Sequence, residues 1–415
     1  MEVNLNNVEE EEEEAPKIED KKKFNKLFII IPVISIIVIA VCLIIIFISI
    51  YLPDNKGENE KNSSDDKNLC DIGEDDKCLT CEDDHCGSCN YKYELINGKC
   101  FPTFSFKAIY EADNKNDNVD LMDSGFINNI IELDIDKEIV EPTANYTFKS
   151  QGYHTVYATM NITNLSSLNY MFIDLKKLIS ISFTKNFDTQ YIREMELMFY
   201  NSHKIKTIDI SYFNLERIQS MRTMFYGCTS LTLLKLPNCK TPHLEDMGNM
   251  FYGCSNLTSI DLSNFYVESV TDLVAAFYNC YSLTHVNLSY FYTYRVTDMR
   301  FLFYNCYNLK SINISHFITL NLKEMDYMFY GCTSLTSIDL SNFDTKKVTK
   351  MNSMFANCKN LAYVDISSFS YNLYLEYDNF FSFLPSSGII RANKNIENII
   401  KKFIPDTWEI ILIEK

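Results

Sequence analysis

Residues 328–351 read MFYGCTSLTSIDLSNFDTKKVTKM, and near copies of this stretch recur along the chain. The Met-Phe step that opens each copy, altered in two of them, begins at Met171, Met198, Met224, Met250, Ala276, Leu302, Met328 and Met354. The first interval is 27 residues and every later interval is 26. A fixed period of about 20–29 residues with L-x-x-I-x-L inside it is typical of leucine-rich repeats. Because one unit cannot bury its own apolar face, we expect the units to stack around one continuous core.

The positions within one unit predict two kinds of segment. In SIDLS, residues 337–341, Ile338 and Leu340 alternate with polar residues, which predicts a short strand with one buried face. Between Val348 and Phe355 the apolar residues recur at i, i+3, i+6 and i+7, which predicts a short helical or 3₁₀ segment. The predicted fold is therefore an α/β-type leucine-rich repeat solenoid with short parallel strands and an irregular or helical convex side.

A cysteine recurs in each of the last six units. This thiol column consists of Cys228, Cys254, Cys280, Cys306, Cys332 and Cys358. A metal site needs converging ligands and a nucleophile is singular, whereas repeats align thiols along an axis. Neighbouring strands lie about 5 Å apart, so disulfides between units are geometrically possible. Because Leu175 and Ser202 hold the same position in the first units, we favour buried free thiols. Cys239, outside the column, is the best candidate for a reactive or intermolecular thiol.

Composition and motifs argue against catalysis and nucleic-acid binding. The formal net charge of −17 disfavours nucleic acid and anionic lipid as partners. The six histidines are scattered, and the sequence contains no HExxH, GxSxG, GxxxxGK or GxGxxG motif. We expect no enzymatic activity, no cofactor and no metal.

The N-terminal part predicts a membrane anchor. Residues 1–26 form an acidic tail, and residues 27–52 carry no charge. At about 1.5 Å per residue this segment reaches about 39 Å, more than the roughly 30 Å of bilayer hydrocarbon. Five lysines precede it within residues 17–26, and three follow within residues 56–67. This bias predicts a single transmembrane signal anchor in a type II plasma-membrane protein, with a cytosolic tail and an extracellular C-terminal region. Residues 53–69 are expected to form a flexible linker.

Six cysteines fall within residues 70–100: Cys70, Cys78, Cys81, Cys86, Cys89 and Cys100. The pairs CLTC and CGSC would suit a four-thiolate zinc site, but an even cysteine count in an extracellular segment favours disulfides. The Asn97-Gly98 step is a hairpin signal. The segment resembles small EGF- or furin-like modules, which implies a disulfide-rich neck.

The repeat is similar to that of BspA-like leucine-rich repeat surface proteins, whose units read MFxxCxxLxxLDLSxFxTxxVTDM. The resemblance spans roughly residues 156–415, with repeats at 166–370. Residues 101–165 show alternating apolar patches and are expected to form a β-rich N-terminal cap. Residues 371–415 resemble the family's C-terminal cap, with an amphipathic NKNIENIIKKF segment before the β-rich TWEIILI. The resemblance implies a surface-anchored adhesive molecule that binds a host or matrix partner.

The outward strand positions are the candidate ligand-facing residues. The candidates are Asp209, Asp261, Asn287, Asn313, Asp339 and Asp365. Together with Ser182 and Lys235 they form one column, which would suit basic protein patches or glycans. Outward strand positions are also polar in a protein without any ligand.

Seven Asn-x-Ser/Thr sequons are candidate N-glycosylation sites, a number close to that expected by chance. They lie at Asn62, Asn145, Asn161, Asn164, Asn256, Asn287 and Asn313. Glycosylation at the last two positions would cover part of the candidate ligand-facing column.

The sequence thus predicts a cell-surface single-pass adhesin or ligand-binding protein whose ectodomain binds an extracellular protein or glycan. The alternatives are a surface coat or scaffold protein without a specific ligand, and a receptor-like signalling protein. The sequence does not determine the oligomeric state.

Overall fold

The computed structural model describes residues 78–82, 85–89, 92–96, 99–371 and 373–414. The chain divides into two compact units, Met1–Lys67 and Asn68–Lys415, and every described residue belongs to the second. The predicted tail, membrane segment and linker, residues 1–69, lie outside the described residues. Among the described residues, no helix combines the length and the apolar character that a membrane span requires.

The repeats form a parallel β-solenoid of about eight turns, so the predicted repeat solenoid is confirmed. The predicted α/β-type leucine-rich repeat with a helical convex side is wrong. The helical segments among the described residues all lie in the caps: the 3₁₀ segments Ser124–Asn129 and Lys394–Ile396, and the single-turn helix α1, Glu397–Ile400. The preceding transmembrane helix and disulfide-rich module that completed the predicted fold class are not supported either.

Two antiparallel hairpins make up the described part of the predicted cysteine-rich module. The strands β1 (Cys78–Glu82) and β2 (His85–Cys89) form the first hairpin, in which Cys78 lies opposite Cys89 and Cys81 lies opposite Cys86. The strands β3 (Tyr93–Ile96) and β4 (Lys99–Pro102) form the second, at the position of the Asn-Gly step. Disulfide pairing of the six cysteines stays a prediction.

The N-terminal cap is a β-structure that extends the first solenoid sheet. Its strands are β5 (Phe106–Ala112), β6 (Asp117–Asp120), β7 (Ile130–Ile135), β8 (Glu138–Val140), β9 (Asn145–Phe148) and β10 (Gly152–Met160). The strand β5 pairs antiparallel with β11 (Leu178–Phe183), which opens the parallel part of the sheet. The cap therefore covers the apolar end that the first turn would otherwise expose to water.

Each later turn carries one short strand in the same position, except that residues 311–313 do not form one. These strands are β12 (Thr207–Asp209), β13 (Leu233–Lys235), β14 (Ser259–Asp261), β15 (His285–Asn287), β16 (Ser337–Asp339) and β17 (Tyr363–Ile366). Paired strands are parallel and in register: Ile208 lies opposite Leu234, and Ile338 opposite Val364. At the C-terminal end β18 (Ile389–Asn393) and β19 (Glu409–Ile413) continue the parallel sheet, with α1 between them.

The segment predicted to be helical forms a second ladder between turns. The backbone N–H groups of Met325, Tyr327, Phe329 and Gly331 donate to carbonyls 25 residues later, at 2.8–3.0 Å. The intervening N–H groups, such as that of Tyr330, donate to the residue three positions earlier. Alternate donors therefore bind the next turn, whereas in an α-helix they would all bind within one segment.

Left-handed backbone conformations explain why this segment is not a helix. Within one turn, Tyr327 has φ 57° and Gly331 has φ 73°. Such residues interrupt a right-handed helix, and Gly and Asn adopt them at the lowest cost. Each turn has two such left-handed positions, and the second, equivalent to Gly331, is Gly or Asn in seven consecutive turns. These residues are Asn201, Gly227, Gly253, Asn279, Asn305, Gly331 and Asn357.

The core consists of columns of identical apolar side chains. The phenylalanines of the Met-Phe step are buried and stack face to face, with ring centroids 5.2–5.8 Å apart from Phe172 to Phe381. The methionines before them are buried as well. Since each ring contacts its equivalents in both neighbouring turns, burial of this column couples each turn to the next.

Candidate functional site

The candidate ligand-facing residues occupy the same position in successive turns, at or near the end of a strand in every case except Asn313, whose turn forms no strand. Asp209 lies opposite Lys235, Asp261 opposite Asn287, and Asp339 is paired in register within a third sheet. Asp261, Asn313 and Asp339 are exposed, whereas Asp209 and Asn287 are half-buried. Lys235 Nζ lies 3.3 Å from Asp209 Oδ2, which neutralises part of the charge at this end.

These side chains also close the turn that follows each strand. In all six candidates, Oδ1 accepts a hydrogen bond from the backbone N–H two residues later, at 2.8–3.2 Å. Asp and Asn commonly stabilise turns in this way. The Asp or Asn at this position therefore has a structural role in each of the six turns, and Oδ2 takes no part in the turn hydrogen bond of Asp261 or Asp339.

Asp365 is the one candidate that the structure removes from the surface. The residue is 2% exposed, and its Oδ2 lies 2.9 Å from Arg391 Nη1 on strand β18 of the C-terminal cap. Arg391 stands 26 residues after Asp365, but the surrounding cap sequence does not follow the repeat pattern. The sequence therefore gave no sign that a cation would cover this carboxylate.

Asp261 is held in its charged form. Partial burial raises the pKa of its carboxyl group, but hydrogen bonds from the Ser263 backbone and hydroxyl and from Asn287 outweigh burial and lower the pKa. Hydrogen bonding to the charged form favours that form. Asp261 therefore presents a negative charge throughout the neutral pH range.

A second acidic column, which sequence reasoning missed, runs along the bridges between turns. Its acidic members are Glu194, Asp246, Asp272, Asp298, Glu324 and Glu376. Arg222 bridges two of them, with Nη1 3.2 Å from Asp246 Oδ2 and 2.9 Å from Asp272 Oδ2. Gly248 leaves room for this guanidinium, because a Cβ there would lie 2.6 Å from Arg222 Nη1. In the sequence, this column could have been recognised from the acidic residue that precedes the methionine in most of the VTDM-type segments.

Much of this second column is neutralised by its own neighbours. Arg300 contacts Asp298 at 2.6 Å and Glu324 at 3.0 Å, and Lys350 lies 3.3 Å from Glu324. Burial raises the pKa of Asp246 despite its contact with Arg222. We therefore regard the strand-end column, with Asp261 and Asp339, as the stronger candidate for contact with a partner.

The thiol column is buried and its six cysteines are free. Each Sγ donates to the carbonyl of the phenylalanine 29 residues earlier, at 3.0–3.2 Å. Ser202 holds the same position and donates from Oγ to Phe172 O at 3.0 Å. Burial raises the pKa of every thiol in the column, to about 12 for Cys358. The position is thus a buried hydrogen-bonding site as well as a packing site.

Cys239 differs from the column in its exposure. It is half-buried and free, and its sulfur accepts from the Leu215 N–H at 3.3 Å. Burial also raises the pKa of this thiol, which lowers its reactivity at neutral pH. Within the described residues, no group of three or more His, Cys, Asp or Glu side chains is placed to hold a metal ion.

Comparison with known families gives one assignment. The family model of the Mycoplasma protein of unknown function, DUF285, matches residues 143–259, 232–336 and 271–386. Together these matches cover residues 143–386, more than half of the 415-residue chain. The chain belongs to the DUF285 family. No curated protein is similar enough to extend this assignment to an activity.

The DUF285 repeats of this chain also carry a stripe of tyrosines, which sequence reasoning did not single out. Tyr200, Tyr226, Tyr252, Tyr278, Tyr304 and Tyr330 stack at centroid distances of 4.4–4.8 Å and are half-buried. The signal in the sequence is the tyrosine of the repeated MFY step, which reads AFY at residues 276–278 and LFY at residues 302–304. A side chain repeated at each turn forms a continuous column on the surface of a solenoid.

The sequons within the DUF285 repeats and the cap differ in exposure. Asn145, Asn161, Asn164, Asn256 and Asn313 are exposed, whereas Asn287 is half-buried. Asn62 lies outside the described residues. Oδ1 of Asn287 and of Asn313 accepts a hydrogen bond from the serine of the same sequon, at 2.6 Å and 2.8 Å. Glycosylation at these positions stays a prediction.

Proposed function

We propose that this chain is a BspA-like surface protein whose solenoid binds an extracellular protein or glycan through the strand-end column. The observation that supports this function is the placement of Asp261 and Asp339. Both carboxylates are exposed, both lie in the same column, and a turn hydrogen bond fixes each of them. Groups that are already ordered lose little conformational entropy when a partner binds.

The charge of the column favours a partner with a basic surface. Asp261 carries a lowered pKa, and the whole chain has a formal net charge of −17. Complementary charge accelerates association and selects among partners, and this contribution weakens as salt increases. We therefore propose a partner that contacts the strand-end column with lysine or arginine side chains.

The test is saturable binding of the purified full chain to cultured cells and to extracellular-matrix proteins. The variant D261N/D339N removes two charges and retains an Oδ1 acceptor for each turn, as Asn287 and Asn313 do naturally. Each substitution also creates an Asn-Leu-Ser sequon, so parent and variants are produced in a bacterial host that adds no N-linked glycans. We expect its affinity to fall about tenfold at low salt, with a weaker dependence on salt. The control, E216Q/E268Q, removes two exposed charges outside the strands and should bind like the parent.

Two results would contradict this function. Binding that never saturates would favour the alternative of a coat or scaffold protein without a specific ligand. Equal loss of affinity in D261N/D339N and in E216Q/E268Q would show that net charge acts without a specific site.

We propose the outer face of the plasma membrane as the location, on the basis of the lysine distribution around residues 27–52. Protease added to intact cells should remove the solenoid, as detected by an antibody against residues 373–414. Cleavage that requires permeabilised cells would refute the surface location.

A further inference from the structure

A groove lies where two tyrosine columns of the solenoid end. The longer column runs from Tyr200 to Tyr330, and a shorter one consists of Tyr281 and Tyr307, whose rings stack at 4.9 Å. The position after Tyr330 holds Ala356, and the position after Tyr307 holds Thr333. Both columns therefore stop before the solenoid does.

The end of the shorter column leaves one ring face uncovered. One face of Tyr307 packs on Tyr281 with an interplanar angle of 6°, and the opposite face points towards the next turn. Thr333, which holds the equivalent position there, is too small to cover a phenol ring, and its hydroxyl donates to Tyr307 O at 3.1 Å. Tyr307 is 40% exposed. An aromatic face thus borders open space at this point.

The groove around this face has a volume of about 460 Å³. Six of the side chains that line it are Tyr304, Tyr307, Tyr330, Thr333, Asn357 and Lys359. Gly331 forms part of the lining and contributes no side chain, which deepens the groove between its neighbours. The groove is open to solvent, and its aromatic wall and few polar groups suit a ligand that keeps part of its surface in water.

The polar groups of the groove can both donate and accept hydrogen bonds. Asn357 Nδ2 donates to the Tyr330 hydroxyl at 2.7 Å, which orients both side chains and leaves the amide oxygen as an acceptor. Lys359 is exposed and takes part in none of the ion pairs found in the described part of the chain. Burial and the neighbouring tyrosines raise the pKa of Tyr304 to about 12, so its phenol remains protonated.

These features select among ligand classes. A purely apolar ligand would displace water from the Asn357 amide oxygen without replacing its hydrogen bond, which costs free energy. A cationic ligand group would be repelled by the ammonium group of Lys359. A pyranose ring presents an apolar C–H face to the aromatic ring and a rim of hydroxyls that need both donors and acceptors, and the groove supplies each of these.

We propose that this groove binds one pyranose ring of a glycan, stacked on Tyr307 and hydrogen-bonded by Asn357, the Tyr330 hydroxyl and Lys359. The inference deepens the proposed binding function, because it adds a glycan site on a different surface from the strand-end column.

The test measures binding of the full chain to three immobilised probes: an N-acetylglucosamine tetramer, mannotriose and sialyllactose. We expect saturable binding of at least one probe by the parent. Y307A should lose about tenfold or more in affinity, because the stacking face is gone. The matched control is Y212A, which truncates another exposed tyrosine of the solenoid that lines no part of the groove, and it should bind like the parent.

A second variant separates loss of the site from loss of the fold. T333Y should extend the short column by one ring and cover the Tyr307 face, and tyrosine already occurs at this position in two turns. We expect T333Y to keep the thermal unfolding midpoint of the parent and to lose probe binding. Absence of binding to all three probes by the folded parent, or equal binding by the parent, Y307A and T333Y, would overturn the proposal.

The result is distinguishable from that of the proposed function. If the glycan site is wrong and the function right, cells and matrix proteins still bind in a manner sensitive to D261N/D339N while the probes do not. If only the glycan site is right, the probes bind in a manner sensitive to Y307A and T333Y, and the strand-end variant has no effect.

Discussion

At the scale of single residues, Cys332 shows how one atom can serve the fold in two ways. Its sulfur is buried, donates to Phe303 O at 3.1 Å and lies beside the backbone N–H of Cys306, which donates to the same carbonyl at 3.2 Å. Ser202 makes both kinds of contact in an earlier turn: it accepts from the Leu175 N–H at 3.2 Å and donates to Phe172 O. Cys and Ser are therefore interchangeable here for a chemical reason, since each supplies a donor and an acceptor.

This equivalence predicts the effects of two substitutions at one position. C332S should change the free energy of unfolding by about 0.5 kcal/mol or less, because the hydroxyl keeps the hydrogen bond to Phe303 O. C332A should destabilise by about 0.5–1.5 kcal/mol, since Phe303 O loses the thiol donor and keeps only the bond from the Cys306 N–H at 3.2 Å. Urea unfolding followed by circular dichroism measures both. Equal losses for Ser and Ala would mean that the position responds to volume alone.

Exposure and pKa predict the order in which the repeat thiols react. Burial raises the pKa of every thiol in the column, so the thiolate, which is the reactive form, is scarce below that pKa. We expect Cys239 to be alkylated first at pH 8, with a rate that increases with pH. The column thiols should react only as the solenoid unfolds, at a rate that pH hardly changes. Peptide mass spectrometry after timed iodoacetamide exposure checks this, and early labelling of Cys254 would contradict it.

At the scale of one element, the segment from Met325 to Cys332 shows why apolar spacing alone misled the fold prediction. Spacings of i, i+3 and i+7 place side chains on one face of a helix, but they also arise where a chain bends repeatedly around a core. The distinguishing signal was the Gly or Asn before the cysteine, as in MFYGC and FYNC. These residue types mark the left-handed position at which a helix cannot continue.

The same position yields a prediction about Gly331. G331A should destabilise the chain by roughly 1–2 kcal/mol, because φ is 73° and the new Cβ would lie 2.4 Å from Asn305 Oδ1. G331N should cost less, because asparagine tolerates this conformation. Asparagine already holds this position in two consecutive turns, where Asn305 Nδ2 lies 3.1 Å from Asn279 Oδ1. The midpoint of urea unfolding for each variant gives the comparison. If the alanine variant were at least as stable as the asparagine variant, the left-handed backbone conformation would not be the reason that glycine or asparagine occurs at this position.

At the scale of the whole molecule, the sequence predicted the features that recur every 26 residues. It did not predict the features that depend on contacts with residues outside the repeat pattern. The solenoid and the exposed Asp261 and Asp339 follow from the 26-residue period and from alternation within SIDLS. The burial of Asp365 depends on Arg391 in the cap, which no periodic pattern marks. The groove beside Tyr307 arises where the tyrosine columns stop. The sequence marks its place by the positions at which another residue replaces the repeated tyrosine.

A periodic core predicts that whole turns can be removed but parts of turns cannot. Deletion of residues 302–327 joins Phe301 to Met328, which keeps every column in phase and removes the turn in which residues 311–313 form no strand. Stability in a solenoid is roughly a sum of terms for each turn and each interface between turns. We therefore expect this variant to unfold cooperatively, with a urea m-value reduced by roughly one part in eight of the solenoid contribution.

The control deletes residues 302–326, one residue fewer. The shift of one position exchanges inward and outward side chains in the next strand, so Ser337 and Asp339 would face the core in place of Ile338. We expect this variant to lack a cooperative transition and to be cleaved rapidly by protease. Circular dichroism during urea unfolding, with limited proteolysis, measures both variants. If both deletions unfolded alike, the stability of the solenoid would not depend on the phase of its columns.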